Sequence, residues 1–257
     1  KNALVVLLLY SATTATDLDP KLLVTLATGL FILPFILFSG LGGQLADKYP
    51  KQKIIRIVKV AELGIAILGA ASLLSGSVPL SFFTLFLLGS QSAFFGPTKY
   101  SILPQHLKED ELIGGNALLN TGSFLAILVG TIAGVLLISL EGGAAWVSVL
   151  LISCALCGYL ASRFVPVAAV KAADIKLNFN IVTETVDILR FAFAQKSAVV
   201  RSILGVAWFY FLGGLFMAQF PNYTEATLSA NEHVLAFFLV MFSVGIAIGG
   251  LLNNRLL

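Results

Sequence analysis

The residues in this chain able to do chemistry are few, and they interrupt otherwise apolar sequence. Asp47 lies within Gly43-Gln44-Leu45-Ala46-Asp47-Lys48-Tyr49-Pro50-Lys51-Gln52-Lys53, one acid among three lysines. A carboxylate so placed at a helix end can pair with a base or meet the positive N-terminus of a partner helix, which is the chemistry of a latch rather than of bond making. Arg56, Lys59 and Glu62 follow at i, i+3 and i+6, a row that extends such a network along one helix. Further on, Lys99 offers a cation, with Gln91 two turns before it. Asn116 and Asn120, one turn apart, offer amide donors and acceptors on one face. Trp208 and Tyr210 carry aromatic surface with a polar tip.

Each of these has a plainer reading. Lys51, Lys53 and Lys99 near a membrane end can snorkel to headgroups, Asn116 can link helices, and Trp208 and Tyr210 can be packing or interface residues. Cys154 and Cys157 have the C-x-x-C spacing of redox and metal sites, yet they lie in an apolar run with no His or acid beside them and read as small packing residues. His233 lacks the companions that a metal site needs. No metal or other cofactor is expected.

The elements that position these groups follow from the solvent they require. With 58% hydrophobic residues, 11% charged and a mean hydropathy of +0.96, the chain is far more apolar than the roughly 45–50% of a soluble domain. An integral membrane protein is implied. Apolar blocks run from about Leu22 to Ala46, Ile54 to Leu74, Leu80 to Thr98, Asn116 to Leu140, Ala144 to Val165, Ile203 to Phe220 and Leu235 to Leu252. A hydrocarbon core about 30 Å thick takes about 20 helical residues, so most of these can span. Their Leu-, Gly- and Ala-rich composition lacks the alternation of a barrel strand. The block from Lys1 to Ala12 is too short to span and reads as the outer end of a truncated first helix, in a chain expected to be a segment of something longer.

Bases set the orientation. Lys48, Lys51, Lys53, Arg56 and Lys59 flank one junction, Lys99 and Lys108 the next alternate one, and Arg163 to Arg201 a third. The intervening loops hold only Lys21. The basic side is therefore cytoplasmic, and the pI near 8.9 reflects topology rather than nucleic-acid binding. Between Pro166 and Ser197 a polar connection carries Val182, Val186, Leu189 and Phe193 on one helical face and Glu184, Asp187 and Arg190 on the other. That pattern predicts an amphipathic helix on the membrane surface, serving as tether or regulator. The predicted organisation is a transmembrane bundle over 1–165, a cytoplasmic linker over 166–198, and the start of a second, incomplete bundle over 199–257.

An internal repeat supports two bundles. Gly42-Gly43-Gln44-Leu45-Ala46-Asp47-Lys48 recurs as Gly249-Gly250-Leu251-Leu252-Asn253-Asn254-Arg255, each copy ending the second span of its bundle. Gly122, Ala126, Gly130 and Gly134 recur every four residues in one span, as do Gly245 and Gly249 in another. Such stripes let helices approach closely and predict a smooth face for rocking between states.

The stretch from Gly43 to Lys53 resembles the loop motif of the major facilitator superfamily, G-x-L-a-D-r-x-G-r-k-x. Pro50 stands in place of the second glycine and cannot adopt the positive φ that glycine allows. Phe95-Gly96-Pro97-Thr98-Lys99-Tyr100-Ser101-Ile102-Leu103-Pro104, followed by Asn116-Ala117-Leu118, resembles the lysophospholipid transporter branch of that superfamily. Trp208-Phe209-Tyr210-Phe211-Leu212-Gly213, Gln219-Phe220-Pro221 and Phe242 to Gly249 are similar to the transporter domain found fused ahead of a phospholipid acyltransferase and an acyl-carrier-protein ligase in some bacteria.

The resemblance implies an all-α fold of parallel six-helix repeats. It implies movement of lysophospholipid, chiefly lysophosphatidylethanolamine, across the bacterial inner membrane for reacylation. Lys99 would then meet the phosphate, with Asn116, Asn120 and Gln91 as further headgroup partners and Trp208 and Tyr210 along the chain or headgroup path. Gly43, Asp47, Lys48, Arg56 and Glu62 would form the gate. The family's first helix carries an Asp-Asn pair before the position of Lys1, and Asn120 stands where the family has an acid. Expected partners are the lysophospholipid, membrane lipids, and an acyltransferase partner or fused domain. The acyltransferase motif H-x-x-x-x-D is not matched by His106 and Asp110, which are one residue too close. This segment is thus expected to be non-enzymatic. The alternatives are a carrier of another amphipathic small molecule, or a membrane anchor for attached enzymes.

Overall fold

A computed structural model describes residues 20–138, 140–168, 170, 174, 175 and 177–229, together with 234, 237, 238, 240–242, 244–246, 248 and 249. The elements among these are helical: α1 (Pro20–Lys48), α2 (Lys51–Ser75), α3 (Val78–Ser101), the short α4 (Leu103–His106), a 3-10 turn (Glu109–Glu111), α5 (Leu112–Ile138), α6 (Gly143–Ser162), α7 (Ile181–Phe193), α8 (Ser197–Asn222) and a π-helical turn (Tyr223–Thr227). Among the described residues, six helical segments are long and apolar enough to cross a membrane. Without water to satisfy N–H and C=O groups in hydrocarbon, an apolar chain must close its hydrogen bonds within each segment. Side-chain hydroxyls obey the same demand: Thr84, Ser90, Ser92 and Ser148 each donate to the carbonyl four residues earlier at 2.7–2.8 Å.

Most helix ends among the described residues agree with the sequence to within about a turn, whereas α8 begins at Ser197, six residues before the apolar block at Ile203. Gly76 ends α2 at φ +64°, a conformation that a Cβ would strain. α5 begins at Leu112 rather than Asn116, because the acids of the 3-10 turn suit a helix N-terminus and the Glu111 carboxylate accepts from the Lys108 N–H at 2.9 Å. Asn116 therefore sits in the second turn.

Contacts divide the chain into two compact units, one of residues up to Leu112 with Ala133–Glu184, the other of Ile113–Ile132 with Thr185–Leu257. In the first, α1 packs chiefly on α3, and α2 on α6 and α3. Interfaces are made of small residues, with Ala27, Ala46, Ala66, Ala70 and Ala93 buried. Ile36, Ile57 and Ile67 are more than half exposed, the arrangement expected where lipid is the outer solvent. A Cβ on Gly42 would lie 2.8 Å from the Ala93 carbonyl oxygen, and one on Gly89 would overlap the Phe31 carbonyl. Ser72 and Ser81 share a buried 2.7 Å hydrogen bond that ties α2 to α3. In the second unit, Phe216 and Phe220 of α8 meet the rings of Phe238 and Phe242 at 5.7–6.4 Å.

Candidate functional site: the basic end and an intramembrane ion pair

The turn between α1 and α2 solves the substitution of proline for glycine without a positive φ. Pro50 caps α2 at φ −57° and ψ 121°, and its carbonyl accepts from the Lys53 N–H at 2.9 Å. α1 is closed by the Tyr49 N–H on the Leu45 carbonyl at 3.0 Å and by the Lys51 ammonium on the Ala46 carbonyl at 2.9 Å. Only 1% of Lys51 is exposed, so this lysine does not snorkel. It sits where the helix dipole and unpaired carbonyls attract a cation. Asp47 beside it is exposed, and the Lys48 ammonium lies 6.0 Å from the centre of the Tyr49 ring. Gly43 has nothing within 4 Å of an added Cβ among the described residues, whereas Gly42 next to it makes the tight contact with α3.

Two amides of this stretch hold the connection that follows α6. Gln44 exchanges a reciprocal pair with Asn178, donating to its carbonyl at 3.2 Å and accepting from its N–H at 2.7 Å. The buried Gln52 accepts from the Ala168 N–H at 3.1 Å. Arg56 donates to the Arg163 carbonyl at the end of α6, at 3.3 Å. The basic ends of α1, α2 and α6 thus lie together, as the charge pattern predicts. Removing both amides by Gln44→Ala and Gln52→Ala is expected to speed hydrogen exchange at the Ala168 and Asn178 amides by about fivefold each, for a net hydrogen bond of about 1 kcal/mol. Mass-resolved exchange over 165–180 checks it. Unchanged rates would show that the connection is held by other contacts.

Deeper in the membrane the row on α2 assembles with α3. The Lys59 ammonium pairs with the Glu62 carboxylate at 2.6 Å and lies 4.7 Å over the Phe95 ring. The Gln91 amide donates to the same Glu62 oxygen at 3.2 Å, and the Ser92 hydroxyl, whose proton is shared with the nearer Leu88 carbonyl, stands 3.3 Å from the Gln91 side-chain oxygen. Two residues assigned separately by sequence, Glu62 to a gate and Gln91 to substrate, are therefore neighbours in one network. Glu62 lies eleven residues into α2, about 16 Å at 1.5 Å per residue, which is near mid-depth of a membrane core about 30 Å thick. Charge at that depth is costly unless paired, and it marks functional positions.

The other candidates are more dispersed. Lys99 is half-buried near the end of α3, with its ammonium 4.7 Å over the Tyr100 ring. Asn116 and Asn120 are partly buried on α5 and both have polar or electrostatic contacts. Trp208 and Tyr210 are 61% and 53% exposed, and their ring contacts among the described residues are to Phe211 and Phe209 of the same helix. Gly134 is buried, whereas a Cβ on Gly122, Gly130, Gly245 or Gly249 would meet nothing within 4 Å among the described residues. Cys154 and Cys157 are exposed thiols on α6. The repeat beyond Gly249, His233 and the block from Lys1 to Ala12 lie outside the described residues. Sequence reading passed over Gln44 and Gln52, whose signal is an amide placed where an apolar helix reaches the polar boundary. It also passed over Gln105, whose buried side-chain atoms have no hydrogen-bond partner among the described residues.

Membrane-length helices joined at a short charged turn, with an ion pair held inside the spans, are the parts of a multi-pass membrane protein. The family model described as Major Facilitator Superfamily matches residues 2–257, and the chain belongs to that family. Among curated proteins it is similar to the lysophospholipid transporter LplT of Escherichia coli O1:K1, at 27% identity over 227 residues, covering 86% of this chain and 54% of that protein. It is 26% identical to the protein of the same name from Citrobacter koseri over 225 residues, with the same coverage. A third, from Enterobacter sp., is 35% identical over 105 residues, 41% of this chain and 25% of its own. The chain spans about half the length of the curated relatives it matches over most of its own length.

Proposed function

We propose that this chain is the N-terminal bundle and the start of the second bundle of a carrier that moves lysophospholipid, of the lysophosphatidylethanolamine kind, across the bacterial inner membrane by alternating access. Similarity to proteins named lysophospholipid transporter, extending over 86% of the chain, carries the reading. The substrate has a charged head and one acyl chain, so its path must offer polar groups while keeping the chain out of water. Lys99, with a cation near the basic end of α3, serves the phosphate. Asn116 and Asn120 on α5 and Gln91 on α3 supply amides. Asp47 and Lys48 at the α1–α2 turn, with Arg56 and the Glu62 ion pair, set which global state is held. The moved lipid then reaches an acyltransferase, either a separate partner or a fused domain, on the cytoplasmic side.

Purified full-length protein in liposomes is expected to bring labelled lysophosphatidylethanolamine from one leaflet to the other. A charge-assisted hydrogen bond is worth about 1.5–3 kcal/mol, so Lys99→Ala is expected to cut flux by about tenfold or more, with Lys99→Arg retaining most of it. Absence of flux in the unmodified protein would overturn the function. Full flux in Lys99→Ala would remove that lysine from the path.

A further inference from the structure

α1 and α2 touch only lightly although both pack on α3. A groove of about 530 Å³ lies between their ends at the basic side of the first unit. Its walls are apolar, with Leu45 from α1, Ile57 and Ala61 from α2, and Leu87 and Phe94 from α3. Lys53 and Tyr49 border it at the basic end and Ser90 and Gln91 on the α3 wall, and almost none of the lining surface is polar. Lys53 is exposed, and its ammonium has no ion pair among the described residues.

We infer that this groove binds a single-chain phospholipid in the cytoplasmic leaflet, with the acyl chain along α2 and the phosphate at Lys53 and the Tyr49 hydroxyl. The inference rests on the lysophospholipid reading and adds to it a place where the moved lipid resides after crossing. Three observations commit the groove to that occupant. A chain of about sixteen methylenes at about 30 Å³ each needs about 480 Å³, which the groove provides. The groove follows α2 from Ile54 to Ile65, eleven residues or about 16 Å, which matches the depth of one leaflet. Its cation sits at the end where the lipid phosphates lie, so charge and apolar surface are in the order a lysophospholipid presents them. Gln91 joins the groove to the Lys59–Glu62 pair, because the same residue lines the one and its amide donates to the other.

The test uses full-length protein in liposomes with lysophosphatidylethanolamine carrying a photoactivated diazirine in mid-chain, and a diacyl phosphatidylethanolamine carrying the same group. The single-chain probe is expected to label Ile57, Ala61 and Leu87 in preference to the diacyl probe. Ala61→Phe, at an exposed position where the larger ring fills space rather than disturbing packing, is expected to reduce that labelling about tenfold. Lys53→Ala is expected to reduce it about fivefold, the equivalent of about 1 kcal/mol for one lysine at the membrane surface. Equal labelling by both probes, or labelling insensitive to Ala61→Phe and Lys53→Ala, overturns the inference. Leaflet-to-leaflet flux is read in the same liposomes. Selective labelling without flux leaves the groove standing and removes the transport function; flux without groove labelling does the reverse.

Discussion

Gly89→Val is expected to prevent α1 from seating on α3 and to cause a deep loss of thermal stability in the first unit. The two helices meet there backbone to backbone, and a Cβ on residue 89 would overlap the Phe31 carbonyl and stand 3.1 Å from the Pro34 ring. Neither neighbour can yield, because one is main chain and the other is a ring locked into the helix. Overpacking of this kind costs about 1–3 kcal/mol for a methylene in a core, and a second branch against backbone exceeds that range. Gly89→Ala is expected to be intermediate. Gly130→Leu is the contrasting variant, since a Cβ there has open space among the described residues. It should leave the melting temperature unchanged while abolishing lysolipid flux, if the stripe on α5 is a face for rocking. Apparent Tm of the purified full-length protein, with membrane insertion measured separately, reads the first effect and liposome flux the second. A Gly89→Val protein that melts like the parent would mean that α1 and α3 do not approach this closely.

Glu62→Leu should be nearly as damaging, for an electrostatic reason. The carboxylate accepts from both Lys59 and Gln91, and its loss leaves an ammonium inside the membrane-spanning part of the molecule. Removing one partner of a fully buried pair costs about 3–5 kcal/mol, mostly the cost of the stranded charge, and the partly buried Lys59–Glu62 pair stands below that limit. The Phe95 ring 4.7 Å away offsets only about 1 kcal/mol of that. The double variant Lys59→Leu with Glu62→Leu removes both charges together and is expected to regain most of the lost stability. If the pair also governs alternation between states, flux stays low in the double variant although its melting temperature recovers. Glu62→Gln, which keeps a hydrogen-bond acceptor for Gln91 and discards the charge, separates the two contributions. Recovery of both stability and flux in the double variant would reduce the pair to a structural tie.

How much of this was legible beforehand differs by kind of feature. The six spans among the described residues and their approximate limits were readable because hydrocarbon demands uninterrupted runs of apolar residues, and the charge pattern marked the common basic end. The role of Pro50 was not, since the motif position suggests a residue at positive φ and the chain instead uses proline to cap the next helix. Lys51 looked like a surface lysine by its position at a membrane end, yet it is among the most buried side chains and caps α1. Glu62 and Gln91 are 29 residues apart on different helices, and only the way α2 rotates against α3 brings their side chains to 3.2 Å. Glycine spacing was a poor guide to close approach. The regular stripe on α5 leaves Gly122 and Gly130 with open space among the described residues, while the isolated Gly89 and Gly42 sit against backbone.

By itself the sequence determined that the chain lives in a membrane, that its bases gather at one end of the first unit's helices, where the described spans run and to which superfamily its acid-bearing turn belongs. These are properties of composition and local order, and the bilayer enforces them segment by segment. Tertiary structure alone decided which polar groups share a network, which glycines carry helix contacts, how the connection after α6 is held by Gln44 and Gln52, and that an apolar groove opens between α1 and α2. Those depend on the rotation and spacing of helices about their axes. In lipid that choice is made by close packing and by the partners each polar group can find, not by hydropathy, which is alike on every face.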